Sequence, residues 1–384
     1  MNSTNEIIYL DHAATSWPKP AAVRQRIDDC FSGVLANSGR SGHAASLRSA
    51  EQVFETRQKL AALFGVPDSR NVVFTSGATE AINLVLKGFL DAGDVVFVSP
   101  MEHNSVMRPL SGLSRTRPVR VVPLPADRFG RVNWSVARQM GSSERPRLIV
   151  LAHASNVNGV VQDMPAARAA FPDAAILADA AQTAGVLPID VETDGIDFLA
   201  CSAHKGLLGL TGLGACYLNP AYNVRALREG GTGSHSAEMS HPNHRPDMYE
   251  AGTLNLHGII ALGGALDHIE SAGPGADLKR QLNGVLTEGL SALSGVRLHS
   301  PCDGSAVATA FTVDGLAPDR VALRLERDFG ILSRPGLQCA PAAHRHLGTF
   351  PAGTVRLSPG FGNTEQQMLH VVAAVRQITT DAGM

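Results

Sequence analysis

At 384 residues, 44% of them hydrophobic and 18% charged, the chain is long enough for a large core and two domains, and its composition is that of an ordinary globular protein. Its 33 basic and 35 acidic residues leave a formal net charge of -2 with no basic block, which argues against nucleic acid or an anionic membrane surface as a partner and for a small molecule. The opening stretch MNSTNEIIYLDHAAT has no basic region followed by a long apolar one, so no secretory signal is expected and the cytoplasm is the default location. Five scattered cysteines (Cys30, Cys201, Cys216, Cys302 and Cys339) lack C-x-x-C spacing, which fits neither a disulfide framework nor a zinc site and leaves at least one thiol free.

Along the chain, short β-rich runs alternate with helical patterns. NVVFTS (71–76), DVVFVS (94–99), VRVVPL (119–124), RLIVLAH (147–153), AAILAD (174–179) and IDFLACS (196–202) predict strands. Amphipathic stretches such as ATEAINLVLKGFLDAG and QDMPAARAAF predict helices between them. This alternation implies the α/β class, with a mostly parallel central sheet covered by helices. The segment 229–253, rich in Gly, Ser, His and Pro, has no periodic apolar pattern and reads as a long functional loop. From 256 the texture changes: helices over 256–272 and 276–294, strands near 307–313 and 354–358, and helices at 318–329 and 364–378 suggest a smaller α+β domain. The expected division is a large domain over 15–255 and a small one over 256–384 together with the N-terminal segment 1–14.

In a sheet of this kind ligands sit outside the carboxyl ends of the strands. After NVVF comes TSGAT, opening a helix whose free N–H groups suit an anion, although taken alone the same residues read first as a simple helix cap. His103 follows DVVFVSP, and Asn156 follows RLIVLAH. Asp179 closes the apolar strand AAILAD, with Gln182 just beyond. In ACSAHKGLLGLTGLGACY (200–217), Lys205 is the one formally charged side chain in a small, apolar run. A buried carboxylate and a buried ammonium are both costly without partners. Either Asp179 and Lys205 pair with each other, or a cofactor stands between them, with the carboxylate serving a ring nitrogen and the lysine forming a Schiff base, as pyridoxal phosphate requires.

YLDHAATSWPKP, NVVFTSGATEAINLV, ASNVNG, ADAAQTAG, SAHKGLLGLTGLG, EAGTLNLHG and RPGLQCAPAAHRHLGTFPAGTVRLSPGFGNT, in this order, resemble the class V aminotransferase superfamily of fold type I and, within it, the cysteine desulfurases. The resemblance covers residues 9 to about 365. It implies that Lys205 holds pyridoxal phosphate covalently, that Asp179 keeps the pyridine nitrogen protonated, that Gln182 faces the ring hydroxyl and that His103 stacks on the ring. It further implies a phosphate cup of Ala78, Thr79, Ser202 and His204, with Thr253 reaching across from a second subunit of a homodimer. Arg356 would take the substrate carboxylate, with Asn156 and Ala13 beside it, and Cys339 would attack the substrate's sulfur.

The implied reaction turns L-cysteine into L-alanine and leaves the sulfur on Cys339 as a persulfide for a separate acceptor protein. The remaining cysteines read as packing residues or, for Cys302, as part of a turn. Some positions depart from the pattern: His12 stands where serine or asparagine is frequent, and GLQCAP lacks the histidine that often precedes the cysteine. A selenocysteine or C–S lyase, or an aminotransferase or epimerase on the same scaffold, is the alternative. Intact Lys205, Asp179, His103 and Arg356 speak against a non-catalytic carrier.

Overall fold

The computed structural model describes residues 7–39, 41–234, 237–273 and 275–383. Residues 1–6 of the N-terminal segment assigned to the smaller domain, and His235 and Ser236 of the long loop, lie outside the described residues. The chain opens with β1 (Ile8–Tyr9), α1 (Ala21–Ser32), α2 (Ala44–Leu63), β2 (Val72–Thr75), α3 (Ala78–Phe89), β3 (Val95–Val98) and α4 (Asn104–Thr116). It continues through β4 (Arg120–Pro123), α5 (Trp134–Glu144), β5 (Leu148–Ala152), α6 (Met164–Ala170), β6 (Ala175–Asp179), β7 (Phe198–Ser202) and β8 (Gly214–Leu218). The rest is α7 (Leu256–Ala272), α8 (Ala276–Ser291), β9 (Val296–Leu298), β10 (Thr309–Val313), α9 (Pro318–Phe329), β11 (Ile331–Leu332), β12 (Arg334–Gly336), α10 (Pro341–His346), β13 (Thr354–Leu357) and α11 (Glu365–Asp381).

The central sheet has seven strands in the order β2-β8-β7-β6-β5-β3-β4. β8 runs antiparallel to both its neighbours, and the other pairs are parallel. β5, β6, β7 and β8 are buried along their whole length. Continuous apolar strands are what a sheet covered by helices on both faces requires, so the α/β reading of the sequence holds. Because β2 runs the same way as β7, the carboxyl ends of β2, β3, β5, β6 and β7 meet at one rim.

A second, antiparallel sheet, β12-β13-β10-β9, carries α8 and α11 in one apolar cluster with Leu282, Leu286, Phe311, Val355 and Val371. Ile8 and Leu10 belong to that cluster, and β1 pairs in parallel with β11. Helix α7, grouped by its place in the sequence with the C-terminal part, packs elsewhere. Its Ile259, Leu262, Leu266 and Ile269 join the core around Leu60, Ile149 and Leu199 beneath the central sheet. The helix is apolar nearly all round, and such a helix is stable only when covered, here by α1 and α2. Among the described residues the long loop 229–253 holds only one short 3-10 turn, Asp247–Tyr249. Its end is anchored where Arg57 grips Glu250 in a buried bidentate pair at 2.6 and 2.9 Å and the Phe74 N–H donates to the same carboxylate.

Candidate active site

β6 and β7 lie side by side, with Asp179 opposite Ala200. Asp179 is 5% exposed at the end of β6, and its Oδ1 accepts from the Ala181 N–H at 3.0 Å. Lys205 sits in a tight turn beyond β7, closed by Leu208 N–H to the Lys205 carbonyl at 2.9 Å and Gly209 N–H to the Ala203 carbonyl at 2.8 Å. The small residues of 200–217 make that turn possible: a Cβ on Gly206 would stand 2.5 Å from the Ala184 carbonyl oxygen. No ion pair within 4 Å joins the two charges, although Asp179 is near enough to act on the Lys205 ammonium. Burial lowers the Lys205 ammonium's pKa, Asp179 works against that, and Arg356 adds to it.

α3 begins at the same rim. Its N-cap is Gly77, at φ 154°, which has no side chain to cap the helix. The Ala78 N–H reaches the Ser202 hydroxyl at 3.0 Å, and Thr79 follows on the exposed side. His204 is held neutral, its pKa lowered to about 4 by burial and by Lys205 and Lys19, and its Nδ1 is buried without a partner. The His204 carbonyl accepts from the Ser16 N–H at 2.9 Å, the Ser16 hydroxyl at 3.0 Å and the Lys19 ammonium at 3.0 Å, tying residues 15–19 to the lysine turn.

His103 caps α4: its Nδ1 accepts from the Ser105 N–H at 3.0 Å, which assigns the ring proton to Nε2. Burial lowers its pKa, with Asp179 opposing and Lys205 reinforcing. Next to it is a group the sequence reading passed over. Glu102 is fully buried, takes the Ser99 hydroxyl at 2.5 Å and the Ala152 N–H at 2.7 Å on Oε1, and leaves Oε2 without a partner. Burial pushes its carboxyl up to about 8, so it is protonated at neutral pH.

From the second sheet comes Arg356 on β13, 3% exposed. It donates to the Asn156 carbonyl at 2.7 Å and to Asp11 at 2.5 Å, while its Nε has no partner. Gln182 Nε2 donates to the Ala13 carbonyl at 3.0 Å, and the Ala13 N–H to Ser358 at 3.0 Å. Cys339 lies between β12 and α10 with an exposed thiol. Gln338 and Cys339 both take positive φ, at 41° and 59°, an uncommon conformation for residues with side chains. The surroundings hold them there: the Asn104 N–H donates to the Cys339 carbonyl at 2.9 Å and Asn156 Nδ2 to the Gln338 carbonyl at 2.6 Å. The buried Gln338 amide donates to the carbonyls of Arg334 at 3.1 Å and Thr354 at 3.0 Å, and its oxygen accepts from His344 at 2.8 Å. Cys339 is also near enough to Lys205 for their charges to interact.

Ala13, Ala78, Thr79, His103, Asn156, Asp179, Gln182, Ser202, His204, Lys205, Cys339 and Arg356 thus come from the sheet rim and the segments packed on it. Thr253 stands apart, exposed beyond the Glu250 anchor and between Gly252 and Leu254, which line a groove with residues of α2. Asp11, Glu102, Gln338 and His344 are the partners that sequence reasoning missed; only Glu102, directly before His103, had a neighbour to draw attention to it. Cys201 and Cys216 are fully buried, the first with its thiol pushed up to about 12, and neither reaches the rim as a nucleophile. The donor set suits a group with an anionic head at α3 and Ser202, a cationic ring atom at Asp179 and a carbonyl at Lys205.

The profile of the family described as aminotransferase class-V matches residues 8–371. A probable cysteine desulfurase of Methanothermobacter thermautotrophicus is 33% identical over 377 residues, spanning 94% of this chain and 92% of its own. One from Pseudomonas putida is 34% identical over 96% of this chain and 93% of its own. Among solved structures, the apo cysteine desulfurase of Thermococcus onnurineus superposes with a TM-score of 0.91 at 29% identity, covering 98% of this chain and 96% of that one. The cysteine desulfurase CsdA of Escherichia coli gives 0.85 at 29% identity, covering 97% and 94%.

Proposed function

Because the chain belongs to the class-V aminotransferase family, and within it to the cysteine desulfurases, we propose that it converts L-cysteine to L-alanine with pyridoxal phosphate and passes the sulfur through Cys339. The observation that carries this reading is the unpaired Asp179 and Lys205 at the ends of neighbouring strands, on the rim where Arg356 and Cys339 converge from the second sheet.

When bound, the cofactor supplies an electron sink for the substrate's α-carbon. Ala78, Thr79, Ser202 and His204 would hold its phosphate, with Thr253 contributed by the partner of a homodimer; Asp179 would favour a protonated ring nitrogen, Gln182 would serve the ring hydroxyl and His103 the ring itself. Lys205 would anchor the group, and as a free amine it would move the α-proton, a task for which burial and Arg356 lower its pKa. Arg356 receives the substrate carboxylate on its planar fork, beside Asn156 and Ala13. The Cys339 thiolate attacks the substrate sulfur: the new S–S bond forms as the C–S bond breaks, the electron pair of the C–S bond returns to carbon, and a proton completes alanine. Cys339 is left as a persulfide, and a sulfur-acceptor protein with its own thiol removes the outer sulfur.

No helix among the described residues is long and apolar enough to cross a membrane, and every described cysteine is a free thiol, in keeping with work in the cytoplasm. The test is incubation of the purified, cofactor-loaded protein with L-cysteine and a thiol reductant, without any keto acid. Alanine and sulfide in equal amounts are expected; absence of alanine refutes the reading.

A further inference from the structure

A second cavity, of about 340 Å³, opens beside Lys205 between α7, α8 and the segment after β1. His103, Asn156, Asp179, Gln182 and Ser202 take no part in its lining. Most of its wall is apolar, from Val186, Leu208, Ile269, Leu278 and Phe361. One end is cationic. Lys279, on the first turn of α8, lines the cavity at 7% exposure, and its ammonium has neither an ion pair nor a hydrogen-bond partner among the described residues. His12 lines it too, 5% exposed, with Nε2 buried and without a partner. Among the described residues no carboxylate faces the cavity. Lys205, the other lysine in the wall, is committed to the cofactor in the proposed enzyme.

A buried ammonium without a counter-charge is costly, and proteins rarely keep one unless something completes it. Burial, Arg356 and Lys205 lower the Lys279 pKa to about 8, which still leaves the group charged at neutral pH. No neighbour supplies the missing negative charge: Lys19 is another cation, engaged by Ser16 and the His204 carbonyl, and His12 is neutral, its pKa lowered to about 3 by burial and by Lys279 and Lys19. An anion is therefore the missing partner, and the apolar walls ask for one with an apolar body. We propose that this cavity binds a small carboxylate with a short hydrocarbon tail, the carboxylate on Lys279 and the tail between Ile269, Leu278 and Phe361. Arg356 does not line this cavity, and binding is read without turnover, so the test does not depend on the desulfurase reading.

The test uses the cofactor-loaded protein with hexanoate as probe, followed by calorimetry and by saturation-transfer NMR on the hexanoate methyl. Hexanoate is expected to bind, 1-hexanol and inorganic phosphate to bind at least about tenfold more weakly, and saturating L-alanine to leave hexanoate in place. Lys279→Met should weaken hexanoate by about tenfold or more while the visible cofactor band and the melting temperature stay as in the parent. Should that variant fail to fold, Ala272→Trp, which fills the cavity from the exposed end of α7 without touching the charge, should abolish hexanoate binding. Equal affinity for hexanoate and hexanol, unchanged binding in Lys279→Met or Ala272→Trp, displacement by L-alanine, or no binding at all overturns the proposal.

Discussion

Cys339 differs from the chain's other thiols in setting rather than in chemistry. It is exposed on a loop that carries it towards Lys205, whereas Cys201 and Cys216 are sealed in the core. Cys339→Ser should leave cofactor and substrate binding intact, since neither uses the thiol, and collapse alanine formation; losing even about 4 kcal/mol of transition-state stabilisation slows a step about a thousandfold. Spectral titration with L-cysteine alongside an alanine assay separates the two. Glu102 supports a different expectation. Its native pKa, near 8, is raised above the 4.5 of an unperturbed carboxyl, so the folded state holds a proton that the unfolded state releases. Its contribution is fully present below pH 4.5 and is lost as pH rises through about 8. Glu102→Gln removes that titration, and its stability relative to the parent should improve by about 1 kcal/mol per pH unit between pH 5 and 8. Urea denaturation of both proteins at pH 6 and pH 8 measures it. Lys205 and Asp179 were legible in the sequence because a charge in an apolar run stands out; Glu102 did not stand out, because MEHNSV gives no sign that its glutamate points inwards.

At the level of elements, the parallel strands of the central sheet were readable, β4 at its edge included. The run around Cys216 reads as β-rich, but the antiparallel course of β8 could not have been found: a strand buried on both faces has no alternation to reveal its direction or register. The all-round apolar α7 posed the same problem, since nothing in its pattern says which sheet will cover it. The cysteine loop was legible as irregular but not as rigid, because its rigidity comes from Gln338 reaching Arg334, Thr354 and His344 at once. Gln338→Ala should leave the thiol in place chemically but loosely held. A displacement of about 1 Å at a reacting group can cost about a hundredfold in rate, so alanine formation should fall by about tenfold to a hundredfold with cofactor content unchanged. Restoration by Gln338→Glu at a pH low enough to protonate the carboxyl, compared with none for Gln338→Leu, would identify the hydrogen bonds as the cause.

The whole molecule carries two further expectations. Phe31, Val34, Leu47 and Phe54 are exposed on and after α1 and along α2, and an apolar surface of that kind suits a second copy of the chain. Sizing at micromolar concentration should give about twice the 40.4 kDa chain mass. Thr253→Ala should loosen the cofactor without dissociating the dimer, and a fully active monomer would remove the partner's Thr253 from the site. The second expectation concerns acid. His12, His153, His204, His299 and His344 all have their pKa lowered by burial, from 6.5 to between about 3 and about 4. The unfolded chain therefore takes up protons that the folded one refuses, and stability should fall as pH drops from 6.5 towards 4. Urea midpoints that stay level between pH 7 and pH 5 would contradict this.

One feature of the path of the chain bears on the order in which the protein is made. Residues 8–16 lie between parts of the molecule synthesised much later: Ile8 and Tyr9 pair with Ile331 and Leu332, Asp11 holds Arg356 across a separation of 345 residues, and Ser16 closes on the His204 carbonyl. Contacts of such long range form only once both partners exist, and closing so large a loop is slow compared with local structure. During synthesis the central sheet can assemble behind the ribosome while residues 8–11 hang free. Ser16 can close on the lysine turn once residue 204 is made, but Asp11 meets Arg356 only after β13 has emerged, so residues 8–11 are set in place later than the sheet strands that follow them in the chain.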